Sequence, residues 1–376
     1  MAQTHGTCAN RFSGVRETLE ESLEAHDVGA SVAVYLDGDP VVDLWGGYAD
    51  AAGTTPWQRD SILNTWSTTK TMTALCALIL ADRGDLDLTA PVARYWPEFA
   101  AAGKQDVEVC HLLSHTAGLP TWDEPMEVAD LYDWPKATAR LAAQAPSWEP
   151  GTQAGYHAVT QGYLVGEVVR RVTGVSLGTF FAREVAGPLG ADFHIGLPAE
   201  HDSRVIPVIP PPPPAAPGGG GGEAEAAPRR RGNPPIDPAD ANTVAWRRAE
   251  IPAAGGHGNA RSVGAVQSVL ACGGTARGVR LLSPEGCERA LAEQYRGPDN
   301  VLGAPMRYGN GYGLNSGWLP NPRTCFWGGW GGSIVVVDLD ARMTVSYVMN
   351  QMLDQGGAGD GRAFDVVTAA YDGLPG

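Results

Sequence analysis

The chain has 376 residues, of which 43% are hydrophobic, and carries a formal net charge of −15 at pH 7. This much apolar material is enough for a large core, and the length fits one large domain or two closely associated ones. A strongly acidic surface repels phosphate backbones and anionic lipid. We therefore expect neither a nucleic-acid partner nor binding to a membrane surface.

The beginning of the chain and its cysteines favour a cytoplasmic protein. The first eight residues lack both a basic start and an apolar run, which predicts no secretory signal. No stretch of 18 apolar residues occurs, which predicts no membrane-spanning helix. The six cysteines are widely spaced without a C-x-x-C pair, so we expect free thiols. The eight histidines are scattered, and we expect neither a metal site nor a cofactor; the oligomeric state stays open.

Hydrophobic periodicity predicts strands at both ends of the chain and helices between them. The predicted elements are, in chain order, a helix at 12–26, strands at 30–36 and 41–45 around a turn at 37–40, helices at 68–82 and 161–172, strands at 312–318, 332–338 and 343–349, and a helix at 362–371. This order predicts an α+β fold, an α/β sandwich. We expect an antiparallel sheet flanked by helices and closed by the N- and C-terminal segments, with an inserted mainly helical domain.

The predicted sheet domain comprises residues 1–84 and 250–376, and the predicted helical domain comprises residues 85–249. Within the latter, the segment 206–235 differs in composition, since 16 of its 30 residues are proline or glycine. Such a stretch buries too little apolar surface to offset the entropy lost on ordering it. We expect it to be a mobile surface segment that contributes little to the core.

An S-x-x-K pattern, Ser67–Lys70, begins the predicted helix at 68–82. Spacing of three places the Ser67 and Lys70 side chains on one helical face, about 5–6 Å apart. A serine hydroxyl becomes a good nucleophile when a base takes its proton. Lys70 can be that base if burial and the positive end of the helix dipole lower its pKa. Alone, the pattern more often describes an exposed lysine in the first turn of a helix.

Three later segments contain residues that could take part in catalysis or ligand binding. The segment H-L-L-S-H-T-A-G-L-P, residues 111–120, places Ser114 beside His115, which suggests a Ser–His catalytic pair. Tyr156 has a phenol that could transfer a proton, although a buried loop tyrosine bonded to backbone would look the same. The segment F-W-G-G-W-G-G-S, residues 326–333, has glycines that allow close approach to a ligand, or form a turn before a strand.

Taken in chain order, the S-x-x-K pattern and these three segments resemble the motifs of family VIII carboxylesterases. These enzymes are in the class C-like branch of the serine β-lactamase and penicillin-binding-protein superfamily. The segments at 41–47, 188–197 and 256–262 support the resemblance, which covers nearly the whole chain except the Pro/Gly segment. The resemblance implies Ser67 as nucleophile, Lys70 and Tyr156 as shared base and acid, an oxyanion hole of the backbone N–H groups of Ser67 and Trp330, substrate contacts from Trp327, Gly328, Gly329 and Trp330, and residues 111–120 as scaffolding.

The preferred functional hypothesis is hydrolysis of small carboxylic esters through an acyl-enzyme on Ser67. Acyl transfer or peptide cyclisation from the same acyl-enzyme is the nearest alternative, and exclusion of water would favour it. Action on β-lactams or D-Ala-D-Ala peptides is disfavoured by Ala158 in place of asparagine, by Trp327 in place of lysine and by the missing export signal. A catalytically inactive binding protein is disfavoured because Ser67, Lys70 and Tyr156 are all present.

Residues 174–178 form a literal G-x-S-x-G, the nucleophile elbow of α/β-hydrolases. That elbow requires a strand before the serine and a helix after it. Here the preceding residues are predicted to be helical, so Gly174 should end one helix and Ser176 should begin the next. We therefore expect Ser176 not to be a nucleophile.

Overall fold

The computed structural model describes residues 3–211, 232–353 and 360–375. The strands are β1 Thr4–Cys8, β2 Gly29–Leu36, β3 Asp39–Gly47, β4 Leu63–Asn64, β5 His194–Ile195, β6 Gly256–Gly258, β7 Thr275–Ala276, β8 Val279–Arg280, β9 Tyr295–Pro298, β10 Pro305–Tyr308, β11 Gly313–Leu314, β12 Thr324–Gly328, β13 Ile334–Asp338 and β14 Met343–Met349. The α-helices are α1 Ser13–Ala25, α2 Thr69–Arg83, α3 Val109–Leu113, α4 Trp134–Ala143, α5 Thr160–Thr173, α6 Leu177–Phe181, α7 Gly187–Leu189, α8 Val244–Arg248, α9 Ala260–Ala271, α10 Pro284–Leu291 and α11 Gly361–Asp372.

Nine strands form one antiparallel sheet in the order β1-β3-β2-β14-β13-β12-β11-β10-β9. Strand β2 from the beginning of the chain pairs with β14 from its end, with Val34 opposite Val345. The predicted antiparallel sheet closed by the two terminal segments is thus confirmed. Strands β4, β6 and β5 form a separate small sheet, in which β4 leads directly to the Ser67 turn.

Helices cover both faces of the large sheet. Successive side chains of a strand point to opposite faces, and neighbouring residues of β14 show what lies on each side. The Ser346 hydroxyl donates to the Ala260 carbonyl of α9 at 2.7 Å. The Tyr347 hydroxyl donates instead to Asp27, which follows α1, at 2.6 Å. Asp27 also pairs with Arg362 of α11. The sheet therefore lies between α9 on one face and α1 with α11 on the other.

Helix α2, which carries Lys70, runs through the interior. All of its residues from 69 to 81 are buried, in agreement with an apolar sequence on every side of the helix. It packs against α5, α6 and α10. It ends at Gly84, whose φ of 81° provides the left-handed C-cap that glycine adopts without strain. Its burial fixes the position of Lys70 in its first turn and of Ser67 in the turn just before it.

The strand predicted at 312–318 is wrong beyond Leu314. The Asn315 side chain accepts the Gly317 N–H at 2.8 Å, and Gly317 has a φ of 101°, so the chain turns away from the sheet. Strand β12 was not predicted, because the glycines that follow Trp327 indicated a turn.

The described ends of the Pro/Gly segment are packed rather than loose. Ile206 and Val208 belong to the core, and the Ile209 N–H donates to the Asn350 carbonyl at 2.7 Å. After the gap, the Asn233 amide donates to the Trp122 carbonyl at 2.6 Å. The expected mobile segment therefore begins later than residue 206. Its central part, 212–231, lies outside the described residues.

Within the described ranges, no helix has both the length and the apolar character needed to cross a membrane. All six cysteines are free thiols.

Candidate active site

The turn that precedes α2 presents Ser67 in an unusual backbone conformation. Trp66 has a φ of 50°, in the left-handed region that non-glycine residues rarely adopt. Its indole is buried between Trp246 and Trp330, with ring centroids 5.7 Å and 5.0 Å away. The packing of this large side chain offsets the local strain. The result is a half-buried Ser67 hydroxyl at the beginning of a rigid, buried helix.

The three residues predicted to perform the chemistry meet at one point. The Tyr156 hydroxyl lies 2.6 Å from Ser67 Oγ, and Lys70 Nζ lies 3.2 Å from it. Lys70 Nζ also lies 4.8 Å from the centroid of the Tyr156 ring. Tyr156 is 89 positions from Ser67 in the sequence, so tertiary folding alone brings it there. A hydroxyl beside an amine can pass its proton to that amine, while a phenol that donates to the hydroxyl oxygen can act as an acid.

Lys70 is fully buried, with 0% of its surface exposed. Its Nζ donates to the carbonyls of Ala158 at 2.7 Å and Ala253 at 3.0 Å. Among the described residues no carboxylate forms an ion pair with it. Burial therefore holds the pKa of Lys70 well below its ordinary value. A neutral amine can give its two N–H groups to the two carbonyls, which leaves its lone pair for Ser67.

Tyr156 is held through its main chain by Asp299, a buried carboxylate. Oδ1 of Asp299 accepts the Tyr156 N–H at 3.0 Å, and Oδ2 accepts the Tyr308 hydroxyl at 2.8 Å. Burial raises the pKa of Tyr156 to about 12. The hydrogen bonds with Ser67 and Trp327 act to lower this pKa, and the Asp299 charge acts to raise it. The Tyr156 phenol therefore stays protonated at neutral pH, whereas Lys70 is driven towards its neutral form.

The W-G-G segment lies beside the Ser67 turn, but its residues differ in accessibility. Trp327, Gly328 and Gly329 are buried, with Trp327 only 4% exposed, whereas Trp330 is 36% exposed. A Cβ at Gly329 would collide with the Thr65 carbonyl, so only glycine permits this approach to the turn. Of the four predicted substrate contacts, Trp330 alone presents a substantial surface.

Ser333 joins the W-G-G segment, residues 326–333, to the turn that carries Ser67. Its hydroxyl lies 3.0 Å from both the Thr65 carbonyl and Thr68 Oγ1. These bonds hold the loop after β12 against the turn that carries Ser67. Among the described residues the Trp330 N–H has no hydrogen-bond acceptor.

The Ser114–His115 pair suggested by adjacency does not form a catalytic unit. The Ser114 hydroxyl donates to the Cys110 carbonyl at 2.8 Å and lies 3.0 Å from Thr116 Oγ1. His115 faces the other way, with its ring against Tyr156 and Trp327. The segment thus supports the site from beneath rather than supplying its nucleophile.

Ser176 has the structural place predicted for it. Gly174 ends α5 with a φ of 75°, and the Ser176 hydroxyl caps α6 by accepting the Thr179 N–H at 3.2 Å. The same hydroxyl donates to Glu250 at 2.6 Å. Neither an amine nor an imidazole bonds to it among the described side chains.

One group of potential metal ligands was not anticipated. Glu108, Cys110 and His111 place three ligand atoms within 4.8 Å of one another. These atoms already have partners, because Cys110 Sγ donates to the Glu108 carboxylate and His111 Nδ1 accepts the Glu108 N–H. They form the first turn of α3.

Sequence patterns also missed Asp299 and the φ of Trp66. An aspartate in a loop belongs to no motif, and the strands that flank Asp299, β9 and β10, were not predicted either.

Known proteins resemble the chain over nearly its whole length. A family model described as Beta-lactamase matches residues 15–369. The esterase/beta-lactamase LipL of Mycobacterium tuberculosis is 37% identical over 339 residues, 86% of this chain and 77% of that protein. The structure of a family VIII carboxylesterase superposes with a TM-score of 0.91 at 44% identity, covering 99% of this chain and 100% of the other. A penicillin-binding-protein homologue from Caulobacter crescentus superposes with a TM-score of 0.88 at 36% identity, covering 99% and 100%.

Proposed function

The chain belongs to the beta-lactamase family, and from this premise we propose that it is a serine carboxylesterase that cleaves small esters through an acyl-enzyme on Ser67. The predicted resemblance to family VIII carboxylesterases is confirmed by the structural match at 44% identity. The observation that carries the proposal is the position of Ser67 Oγ, 2.6 Å from the Tyr156 phenol and 3.2 Å from Lys70 Nζ.

Acylation begins with attack of Ser67 Oγ on the ester carbonyl carbon. The serine proton passes to Lys70, whose amine is neutral because burial opposes its charge. Tyr156 remains protonated and can deliver its proton to the departing alkoxide, while the lysine proton restores the phenol. The C–O bond of the ester breaks, the alcohol leaves, and the acyl group remains on Ser67. Two neighbouring groups whose pKa values are shifted in opposite directions thus take the base and acid roles.

Deacylation repeats these steps with water. Water adds to the acyl carbon and gives its proton to the same pair of groups, and Ser67 Oγ recovers a proton as the acid leaves. In both steps negative charge develops on the carbonyl oxygen. The backbone N–H groups of Ser67 and Trp330 are the proposed donors to this oxygen, which is supported by the absence of another described acceptor for the Trp330 N–H.

Neutral esters suit this site better than anionic substrates. Position 327 is a buried tryptophan, so the W-G-G segment supplies no cation to pair with a substrate carboxylate. Lys70 already donates to two carbonyls. The exposed Trp330 indole offers an apolar wall for an acyl or aryl group.

The proposal is tested by the time course of p-nitrophenol release from p-nitrophenyl butyrate. We expect sustained turnover that Ser67→Ala abolishes, with an acylated protein trapped by rapid acid quenching and identified by intact mass. A wild-type protein that neither turns over the ester nor gains an acyl group would refute the proposal.

A further inference from the structure

We propose that His115 is a positioning residue that fixes Tyr156 against Ser67, an inference that rests on the proposed function. His115 is a buried side chain, 1% exposed, in the segment 111–120, for which the family resemblance implied only scaffolding. It makes no hydrogen bond to Ser67, whose side-chain partners are Lys70 and Tyr156. His115 instead contacts Tyr156 and its two neighbours in the chain, Gly155 and His157.

Both neighbours of Tyr156 are bonded to His115. The Gly155 N–H donates to the His115 carbonyl at 3.1 Å, and the His157 N–H donates to His115 Nδ1 at 3.1 Å. Between these two bonds, the Tyr156 N–H donates to Asp299. Every main-chain N–H of the tripeptide is therefore held, two of the three by one residue.

The His115 ring also contacts the Tyr156 side chain. The two ring centroids are 5.2 Å apart with an interplanar angle of 67°, an edge-to-face contact. The same imidazole stacks on Trp327 at 5.2 Å with an angle of 27° and lies 5.1 Å from Tyr308. One buried ring thus packs against three aromatic side chains, of which Trp327 also contacts the other two, and this packing restricts the Tyr156 rotamer as well as its main chain.

The backbone of His115 explains how one residue makes both sets of contacts. Its φ is 61°, in the left-handed region that costs a non-glycine residue about 1 kcal/mol or more. This conformation directs the carbonyl and the imidazole to the same tripeptide. Burial, together with His157 and Lys70, holds the pKa of His115 well below its ordinary value, so the ring is neutral and Nδ1 can accept a hydrogen bond.

Two substitutions separate these contacts. His115→Asn keeps a side-chain acceptor near the position of Nδ1 and tolerates a positive φ, but removes the ring. His115→Phe keeps a ring and removes the acceptor. With a p-nitrophenyl ester, each should lower kcat by roughly 10- to 100-fold with little change in KM, because misplacement of a reacting group by about 1 Å has an effect of this order.

A double-mutant cycle with Tyr156→Phe distinguishes positioning from a general structural role. Once the phenolic oxygen is absent there is nothing left to position, so the His115 substitutions should change kcat by less than about twofold in that background. The matched control is His257→Asn, another buried neutral histidine, whose Nδ1 bonds to the Gly255 carbonyl. Its effect on kcat should be the same factor in both backgrounds.

Equal losses of kcat from the His115 substitutions in both backgrounds would overturn the positioning role while leaving the esterase proposal intact. The same conclusion would follow if these variants lowered the melting temperature but left kcat unchanged. A fully active Tyr156→Phe variant would overturn the roles of both Tyr156 and His115. The esterase proposal would stand, because that variant would still hydrolyse the ester.

Discussion

Ser67 and Ser176 both begin helices and both belong to short motifs associated with nucleophilic serines, yet their surroundings differ completely. Ser67 Oγ lies between an amine and a phenol. Ser176 Oγ caps its helix and donates to the Glu250 carboxylate. A carboxylate is a weaker base than a neutral lysine amine, and among the described side chains no phenol or amine bonds to the Ser176 hydroxyl. The surrounding side chains, rather than the motif spacing, therefore distinguish the proposed nucleophile from the serine that caps a helix.

Removing each hydroxyl in turn should give the largest contrast. Ser67→Ala should lower kcat/KM for a p-nitrophenyl ester by about 10⁴-fold or more, the order seen when a nucleophile is removed from a serine hydrolase. Ser176→Ala should leave kcat/KM within about twofold and lower stability by about 1 kcal/mol, the usual effect of losing an N-cap. Initial rates and thermal melts measure both. Activity that survives in Ser67→Ala and disappears in Ser176→Ala would reverse the assignment.

Two buried lysines extend the comparison. Lys104, like Lys70, is fully buried, and its Nζ donates to three carbonyls, those of Ala101, Ala142 and Gln144. Burial lowers its pKa to about 8. Lys104 thus shares the environment of Lys70 but has no hydroxyl partner, so its role is to connect main-chain segments.

Substitution by methionine should separate the two lysines. Lys70→Met should lower kcat by roughly 10²- to 10⁴-fold, the contribution expected of a general base. Lys104→Met should leave kcat nearly unchanged but lower the free energy of unfolding by about 1–3 kcal/mol, because buried carbonyls lose their donor. Steady-state kinetics and urea unfolding measure these effects. Equal losses of kcat in the two variants would show that Lys70 acts structurally.

Substrate preference should show the smallest of these effects. A lysine at position 327 would stabilise a bound β-lactam carboxylate by about 1.5–3 kcal/mol, and Trp327 lacks that charge. We therefore expect kcat/KM for a chromogenic cephalosporin to be lower than that for a p-nitrophenyl ester by at least roughly 10- to 100-fold. Both substrates should be measured on one preparation. Comparable values would indicate that another group binds the lactam carboxylate.

The sequence predicted the regular elements where their periodicity was strong. Helix α2 and strands β13 and β14 lie close to their predicted bounds, because long apolar runs leave few alternatives. Strand β1 was missed because it is an edge strand with exposed side chains and no alternating pattern. Strand β12 was missed because glycines obscured it.

The site was predictable only in part, for a related reason. Ser67 and Lys70 are neighbours on one helix, so local spacing indicated their contact, whereas Tyr156 could be added only through the family resemblance. Asp299 and His115 act through backbone hydrogen bonds and ring packing that depend on tertiary structure. The sequence pattern did not predict the left-handed φ of His115, which directs its carbonyl and imidazole towards residues 155–157.

Labelling with a fluorophosphonate tests most directly whether Ser67 alone carries the acyl group. After incubation of the wild-type protein, digestion and mass spectrometry should identify one modified residue, Ser67. Lys70→Met should slow the labelling, because the hydroxyl loses its base, while Ser176→Ala should label at the wild-type rate. Modification at Ser176, or labelling of Lys70→Met as fast as the wild type, would contradict the account.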